Sequence, residues 1–162
     1  MEKTNTLKFE LFDPVEAGET WAITWGSDYK VVEIYVDGER LLDSIREIEV
    51  PYAKEEGHPK LAGSYGHLSP KELYFDLGTA LIENSDACDD RVYPFCCEDC
   101  GEILCWSISF LVKEDEKYVY WYDFKHEHRS WKYNLTYRFE KEDYEEALWD
   151  LWDMYKEQNR ED

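Results

Sequence analysis

The sequence predicts an α+β fold, in which an antiparallel β-sheet built from meanders and hairpins packs with one mid-chain helix and a C-terminal amphipathic helix. Three observations support this class. They are runs of β-forming residues separated by turn signals, a mid-chain helical spacing of apolar residues that is followed by a proline, and a long amphipathic helical pattern near the end. No internal repeat or low-complexity linker divides the chain. We therefore expect a single acidic domain over residues 1–162, long enough for a sizeable core.

The first elements predicted are strands. Residues 7–12 (LKFELF) and 21–25 (WAITW) are rich in β-formers and flank the breaker stretch DPVEAGE, which predicts two short strands joined by a loop. Further on, KVVEIYVDGERLL places Asp37 and Gly38 between two β-rich runs, and this dipeptide strongly favours a tight hairpin turn. The chain therefore opens as a β-meander.

A helix and a long loop are predicted next. Helical spacing of apolar residues predicts the helix, which we expect to stop near residue 50, because the ring of Pro51 disfavours helical geometry in the residue before it. Residues 55–78 hold several glycines and prolines among polar residues and predict a long ordered loop, with one turn of helix after Pro70. Loops of this length in compact domains are often functional. The apolar positions of the helix are Leu41, Leu42, Ile45 and Ile48.

The C-terminal part predicts a hairpin and a second helix. Two β-rich runs around the turn sequence EDEK predict a hairpin over about 106–124. The segment EKEDYEEALWDLWDMYKEQ carries apolar residues at helical spacing and acids in its first turn, where the helix dipole favours them. Its apolar positions are Tyr144, Ala147, Leu148, Leu151, Trp152 and Tyr155.

Charge limits the classes of partner. The chain has 38 acidic and 18 basic residues and a formal net charge of -20, so it repels phosphate backbones and anionic headgroups. Nucleic acid and membrane are therefore poor partners, and a basic protein surface is a good one. A solvated, solubilising surface is the alternative reading of the same acids. The absence of a long apolar run and of a secretory pattern at the start predicts a cytoplasmic protein.

Four of the five cysteines lie in PFCCEDCGEILCW, residues 94–106. In a reducing compartment a disulfide framework is disfavoured, so a metal site becomes the leading hypothesis for the cluster. The thiols of Cys97, Cys100 and Cys105 would be three ligands of a structural zinc ion. The predicted hairpin would return KHEHR to the same end of the sheet, where His126 or His128 could complete a Cys₃His site.

Two other interpretations of these cysteines stay open. Buried, reduced cysteines behave as small hydrophobic residues, so the cluster could serve packing alone. Redox chemistry is less favoured, because a reactive thiol needs a depressed pKa and the neighbouring acids Glu98, Asp99 and Glu102 raise it.

Several motifs occur together in one order. AGSYGHL begins at Ala62, CEDCGEILCW at Cys97 and WYDFKHEHR at Trp121, and they follow a segment ending in EVPYA. In these motifs the chain resembles a group of uncharacterised bacterial proteins with the patterns AGxYxxL, CxCGxxxCW and WxxFxxPHR, over roughly residues 33–152. The resemblance implies no established activity.

The match to that group is uneven at the cysteines. Cys100 and Cys105 fit its pattern, whereas Glu98 stands where the first cysteine of the group would fall, which weakens the case for a metal. His128 and Arg129 fit the last motif, with Glu127 in place of proline, so the resemblance favours His128 over His126 as the important histidine.

The function predicted from charge and aromatic content is binding and inhibition of another protein. Nucleases and similar toxins have basic active-site surfaces, and an acidic α+β protein of this size suits an immunity protein that blocks one. The predicted partner contacts are Tyr65, His67, Asp86, Asp89, Asp90, Glu98, Asp99 and Arg129. The alternative is a small zinc-containing Cys/His enzyme or ligand-binding protein of unknown substrate. As an enzyme it would use His128 as general base, Arg129 to hold an anion and Cys100 or Cys105 as nucleophile.

Overall fold

The computed structural model describes residues 4–12, 30–63, 65–71, 73–74, 77, 91–97 and 108–158. Within them the fold is α+β, as the sequence predicts. The elements, in chain order, are β1 (Leu7–Phe12), β2 (Val31–Val36), β3 (Glu39–Arg40), α1 (Leu41–Glu55), a 3₁₀ turn (Pro59–Leu61), β4 (Tyr65–His67), β5 (Phe95–Cys97), β6 (Ile108–Glu114), β7 (Tyr118–His126), β8 (Tyr137–Glu140) and α2 (Lys141–Gln158). The strand predicted at 21–25 lies outside the described residues.

The strands form three antiparallel sheets. Two have three strands, in the orders β1-β2-β3 and β6-β7-β8, and the third pairs β4 with β5. The turn between β2 and β3 has positive φ at Asp37 and Gly38, 55° and 81°, which is the hairpin conformation that an Asp-Gly pair predicts. The predicted hairpin around EDEK is also present, as β6 and β7.

Backbone hydrogen bonds join the sheets to one another. The N–H of Val32 in β2 donates to the carbonyl of Leu68, just after β4, across 2.9 Å. Val92 and Phe110 exchange two bonds, of 2.8 and 3.0 Å, which tie the chain before β5 to β6. Asn5 forms a parallel bridge with Phe139 of β8, which links the first sheet to the third.

One hydrophobic cluster receives buried residues from all three sheets and both helices. Trp121 of β7 lies fully buried among aromatic rings, and its indole N–H donates to the hydroxyl of Tyr144 on α2 across 3.1 Å. The bond satisfies both buried polar groups, so the ring of Trp121 adds its apolar area to the core without an unpaired donor. Its neighbours are Phe110, Tyr137, Phe139 and Tyr144.

Helix α2 confirms the predicted amphipathic pattern. Tyr144, Ala147 and Leu151 are buried, and the helix contacts β1, β7 and β8. Trp152 packs on Tyr74 with ring centroids 5.0 Å apart. Among the described residues, no helix combines the length and the apolar character that crossing a bilayer requires.

Helix α1 corrects the predicted stop near residue 50. It continues to Glu55 with Pro51 inside it. Pro51 is exposed, whereas Ala53 in the last turn is fully buried and Tyr52 stacks on Trp131 with centroids 5.9 Å apart. Tertiary packing of the last turn therefore outweighs the loss of one backbone donor.

The long loop contains more structure than its composition predicts. Strand β4 lies inside it and pairs with β5, from Tyr65 opposite Cys97 to His67 opposite Phe95. The predicted turn of helix after Pro70 is present, and the N–H of Leu73 donates to the carbonyl of Ser69 across 3.1 Å. Strand β8 was also absent from the sequence-based prediction.

Candidate functional site

The residues paired with Cys97 and with Ile108 lie close together. Cys97 ends β5 opposite Tyr65, and Ile108 begins β6 opposite His126. The rings of Tyr65 and His126 have centroids 6.3 Å apart. The second strand of the hairpin therefore brings His126 close to Tyr65, the residue opposite Cys97. Cys100 and Cys105 lie outside the described residues.

The two candidate histidines occupy different environments. His126 is buried, and burial, with the nearby His128 and Arg129, lowers its pKa to about 4. Its Nδ1 accepts the backbone N–H of His128 across 2.9 Å, and the ring of His128 is exposed. Within the described residues, no three His, Cys, Asp or Glu side chains are grouped so that they could hold a metal ion. The Cys97, Cys100, Cys105 and His128 site stays a prediction.

A buried carboxylate in α1 was not predicted from the sequence. Glu49 is 0% exposed. Its Oε2 accepts the hydroxyls of Tyr65 and Tyr133, each across 2.5 Å, and its Oε1 accepts the N–H of Gly63 across 2.8 Å. Leu41, Ile45, Glu49 and Ala53 follow one another at i, i+4 spacing, so helical periodicity alone would have placed this acid on the buried face.

Burial governs the ionisation of this Glu49 cluster. It raises the pKa of the Glu49 carboxyl, while the three donors and Arg46 act in the opposite direction. Burial and the neighbouring Glu49 also hold the pKa values of Tyr65 and Tyr133 well above the ordinary tyrosine value. Because the cluster is closed to solvent, its role is to fasten the loop at Gly63 and the chain at Tyr133 to α1.

A second buried carboxylate, Glu33 of β2, joins the first sheet to β4. Its Oε1 lies 2.9 Å from Nε of Arg40, and its Oε2 lies 3.0 Å from Nε2 of His67. The imidazole also meets the edges of Phe12 and Phe95, with centroids 4.9 and 5.8 Å away. This set again connects separate elements inside the fold.

Arg91 holds an irregular part of the third sheet. Its Nε donates to Ser109 Oγ across 2.6 Å, and its Nη1 donates to Asp123 Oδ2 across 2.8 Å. Asp123 has a φ of 56°, and the pairing of β6 with β7 shifts register between Ser109 and Leu111. The guanidinium therefore stabilises a β-bulge, and the role of Arg91 is structural.

Three of the eight residues predicted to contact a partner lie among the described residues. Tyr65 and His67 are only 2% and 3% exposed. Their side chains are therefore not accessible to a partner, contrary to the prediction. Arg129 forms an ion pair with Glu56 across 3.1 Å and lies over the ring of Trp131. The other five, Asp86, Asp89, Asp90, Glu98 and Asp99, lie outside the described residues.

The solvent side of α2 carries acids around an exposed tryptophan. Trp149 is 63% exposed, and helical geometry places Glu145, Glu146 and Asp153 one turn away from it. The sequence contained this signal, because Trp149 does not belong to the apolar stripe of the helix. We name this set the α2 outer face, formed by Glu142, Glu145, Glu146, Trp149, Asp150 and Asp153.

A groove adjoins the α2 outer face at the start of the helix. Its volume is about 430 Å³, and four glutamates line it, two of which also belong to the outer face: Glu116, Glu140, Glu142 and Glu145. Tyr118, Lys117 and Lys141 complete the lining. We name it the acidic groove. A site of this composition favours a cationic group.

No family model matches this chain, and no curated protein or solved structure is significantly similar to it. The class of protein is therefore defined from the fold and the surface alone. It is an acidic α+β protein with buried polar clusters and with an exposed helix face that is acidic and aromatic.

Proposed function

We propose that this protein binds and inhibits a basic protein, as an immunity protein does with a nuclease-like toxin. One observation carries the proposal: the net charge is -20, and of the acids in the described residues only Glu33 and Glu49 are buried. The other acids of the described residues are therefore at least partly exposed to solvent, where they can act on partners.

Such a charge distribution favours rapid capture of a basic surface. Complementary potentials steer the encounter and raise association rates by about 10- to 1000-fold at low salt. An enzyme acting on nucleic acid needs a basic active-site surface, so an acidic protein can cover that surface and exclude the substrate. The same charge opposes binding of nucleic acid and of anionic lipid by this chain.

The test begins with capture of the tagged protein at low salt from its own cells, followed by native mass spectrometry. We expect a 1:1 complex with one basic protein, which dissociates between about 50 and about 500 mM salt. The captured protein is then purified, and we expect its activity to be inhibited stoichiometrically. An unrelated acidic protein of similar size and charge controls for ion exchange.

A bare monomer, or capture without inhibition, would overturn the proposal. His128→Ala then separates the alternatives. An inhibitor that binds through acids keeps its affinity in this variant, whereas an enzyme using His128 as general base loses turnover while remaining folded.

A further inference from the structure

We infer that the α2 outer face and the acidic groove together form the docking surface for the basic partner, with Trp149 as its central anchor. The inference rests on the proposed function and adds the location of the surface and the chemistry it recognises. The occupant is a folded protein that presents arginine or lysine side chains beside a small apolar area.

Trp149 is the first reason. Among the described residues it is the one large hydrophobic side chain left exposed. Trp152, three residues on, packs against Tyr74 and Tyr155, with ring centroids 5.0 and 5.1 Å away. A tryptophan outside the packed stripe contributes little to folding, but it supplies the wide, rigid contact area typical of interface anchors. Its face also attracts a guanidinium.

The charges around Trp149 select the partner. Carboxylates lie one helical turn before and one turn after Trp149. A partner that covers Trp149 with an apolar surface must therefore also present cations, because the carboxylates would otherwise lose water without gaining an opposite charge. Asp153 has a cationic neighbour in Lys156, across 3.6 Å, but both side chains are more than half exposed. An exposed pair of this kind gains little and is easily exchanged for an incoming cation.

The acidic groove extends this surface toward the turn between β6 and β7. Its four glutamates outnumber its two lysines, and one of these is already engaged: Lys141 Nζ lies 2.9 Å from the carbonyl oxygen of Asp115 and 3.4 Å from Glu114 Oε2. A volume of about 430 Å³ accommodates an arginine or lysine side chain. Glu142 and Glu145 line the groove and belong to the outer face, which makes the two features continuous.

A second copy of this chain is a poor occupant. Two molecules of charge -20 repel each other, and pairing two acidic helix faces would place like charges in contact. A basic partner instead offsets the repulsion among the acids of the α2 outer face.

The experiment measures binding of the purified captured partner, and of an oligoarginine peptide, to four forms of the protein. These are the wild type, Trp149→Ala, the double variant Glu145→Lys with Glu146→Lys, and the double variant Glu47→Lys with Glu55→Lys. The last is the matched control, because it makes the same charge change on exposed positions of α1. Thermal unfolding of each variant checks that it is folded.

We expect Trp149→Ala to weaken the partner complex at least about tenfold, mainly through faster dissociation. The α2 charge variant should slow association and weaken both probes by about tenfold or more, whereas the α1 control should change affinity by less than about threefold. Equal loss in the two charge variants would overturn the inference, since only net charge would then matter. Wild-type binding that all variants retain would also overturn it and leave the proposed function standing. No complex with any basic protein would overturn both.

Discussion

At the scale of single residues, Glu49 shows how this chain uses a buried acid. Three donors from two other segments meet one carboxylate, so the group connects α1 to the loop before β4 and to the chain before β8. Removing the acid would leave two tyrosine hydroxyls and one backbone N–H without their acceptor. The cluster therefore holds these two segments against α1.

The raised pKa of Glu49 predicts a pH dependence. The folded state binds the proton more tightly than the unfolded chain, whose reference pKa is 4.5, so this contribution is full below that value and is lost as the pH rises through the folded pKa. Relative to Glu49→Gln, the wild type should lose stability with rising pH, by up to about 1.4 kcal/mol per pH unit.

The measurement is urea unfolding of both proteins over a pH series starting near pH 4. The exposed position two residues earlier supplies the control, because Glu47→Gln removes a carboxyl from the same helix without touching the cluster. A stability difference that stays constant across the series would contradict the expectation.

The cysteine cluster makes a separate prediction at this scale. A structural zinc site would make Cys100→Ser lower the free energy of unfolding by several kcal/mol, whereas Cys88→Ser, which removes a thiol outside the cluster, would not. Native mass spectrometry should show about 65 Da above the mass of the chain. A melting temperature that chelator leaves unchanged would remove zinc and favour packing.

At the scale of elements, the glycine after α1 and the 3₁₀ turn has a defined purpose. Gly63 has a φ of 69°, and a Cβ placed there would lie 2.5 Å from Nε and 3.0 Å from Cβ of Arg46. Gly57 has a φ of 80° but no atom within 4 Å of such a Cβ. The first position needs glycine for conformation and for space, and the second for conformation alone.

Alanine substitution separates these two requirements. Gly57→Ala should destabilise the protein by about 1 kcal/mol from backbone strain. Gly63→Ala should cost about 2 kcal/mol or more, because Arg46 must move and the bond from the Gly63 N–H to Glu49 is disturbed. Chemical denaturation of the two variants provides the comparison. Equal losses would show that space at Gly63 is not limiting.

Elements with a strong local signal were predictable from the sequence. The Asp-Gly hairpin, the hairpin around EDEK and the stripe on α2 each depend on neighbouring residues, which a single sequence displays. Strands β4 and β8 have three and four residues and depend on distant partners, so no local pattern marks them. Pro51 was misleading for the same reason, since the packing of Tyr52 on Trp131 spans 79 positions.

The candidate site divides in the same way. Negative charge and an acidic helix face follow directly from composition and periodicity. The burial of Tyr65 and His67 does not, because it depends on a β4–β5 pairing between residues about thirty positions apart. A loop rich in glycine and proline was expected to present these side chains, and its short strand turned them inward instead.

At the scale of the whole molecule, three small sheets share one hydrophobic core, and polar residues add further connections between elements. Glu33 links β2 to β4, Glu49 links α1 to two segments, and Arg91 holds β6 against β7. Glu33, Glu49 and Arg91 are themselves buried. The bond from Trp121 to Tyr144 in the same core holds α2, and with it the α2 outer face, against β7.

The bridge at Asn5 has a consequence for synthesis on the ribosome. Its backbone N–H donates to the carbonyl of Arg138 across 2.6 Å, and its side-chain oxygen accepts the N–H of the same residue across 2.8 Å. During synthesis Asn5 precedes its partner Arg138 by 133 positions. Strand β1 must therefore wait, paired only with β2, until β8 leaves the exit tunnel. Closure of the first sheet onto the third therefore follows the synthesis of β8.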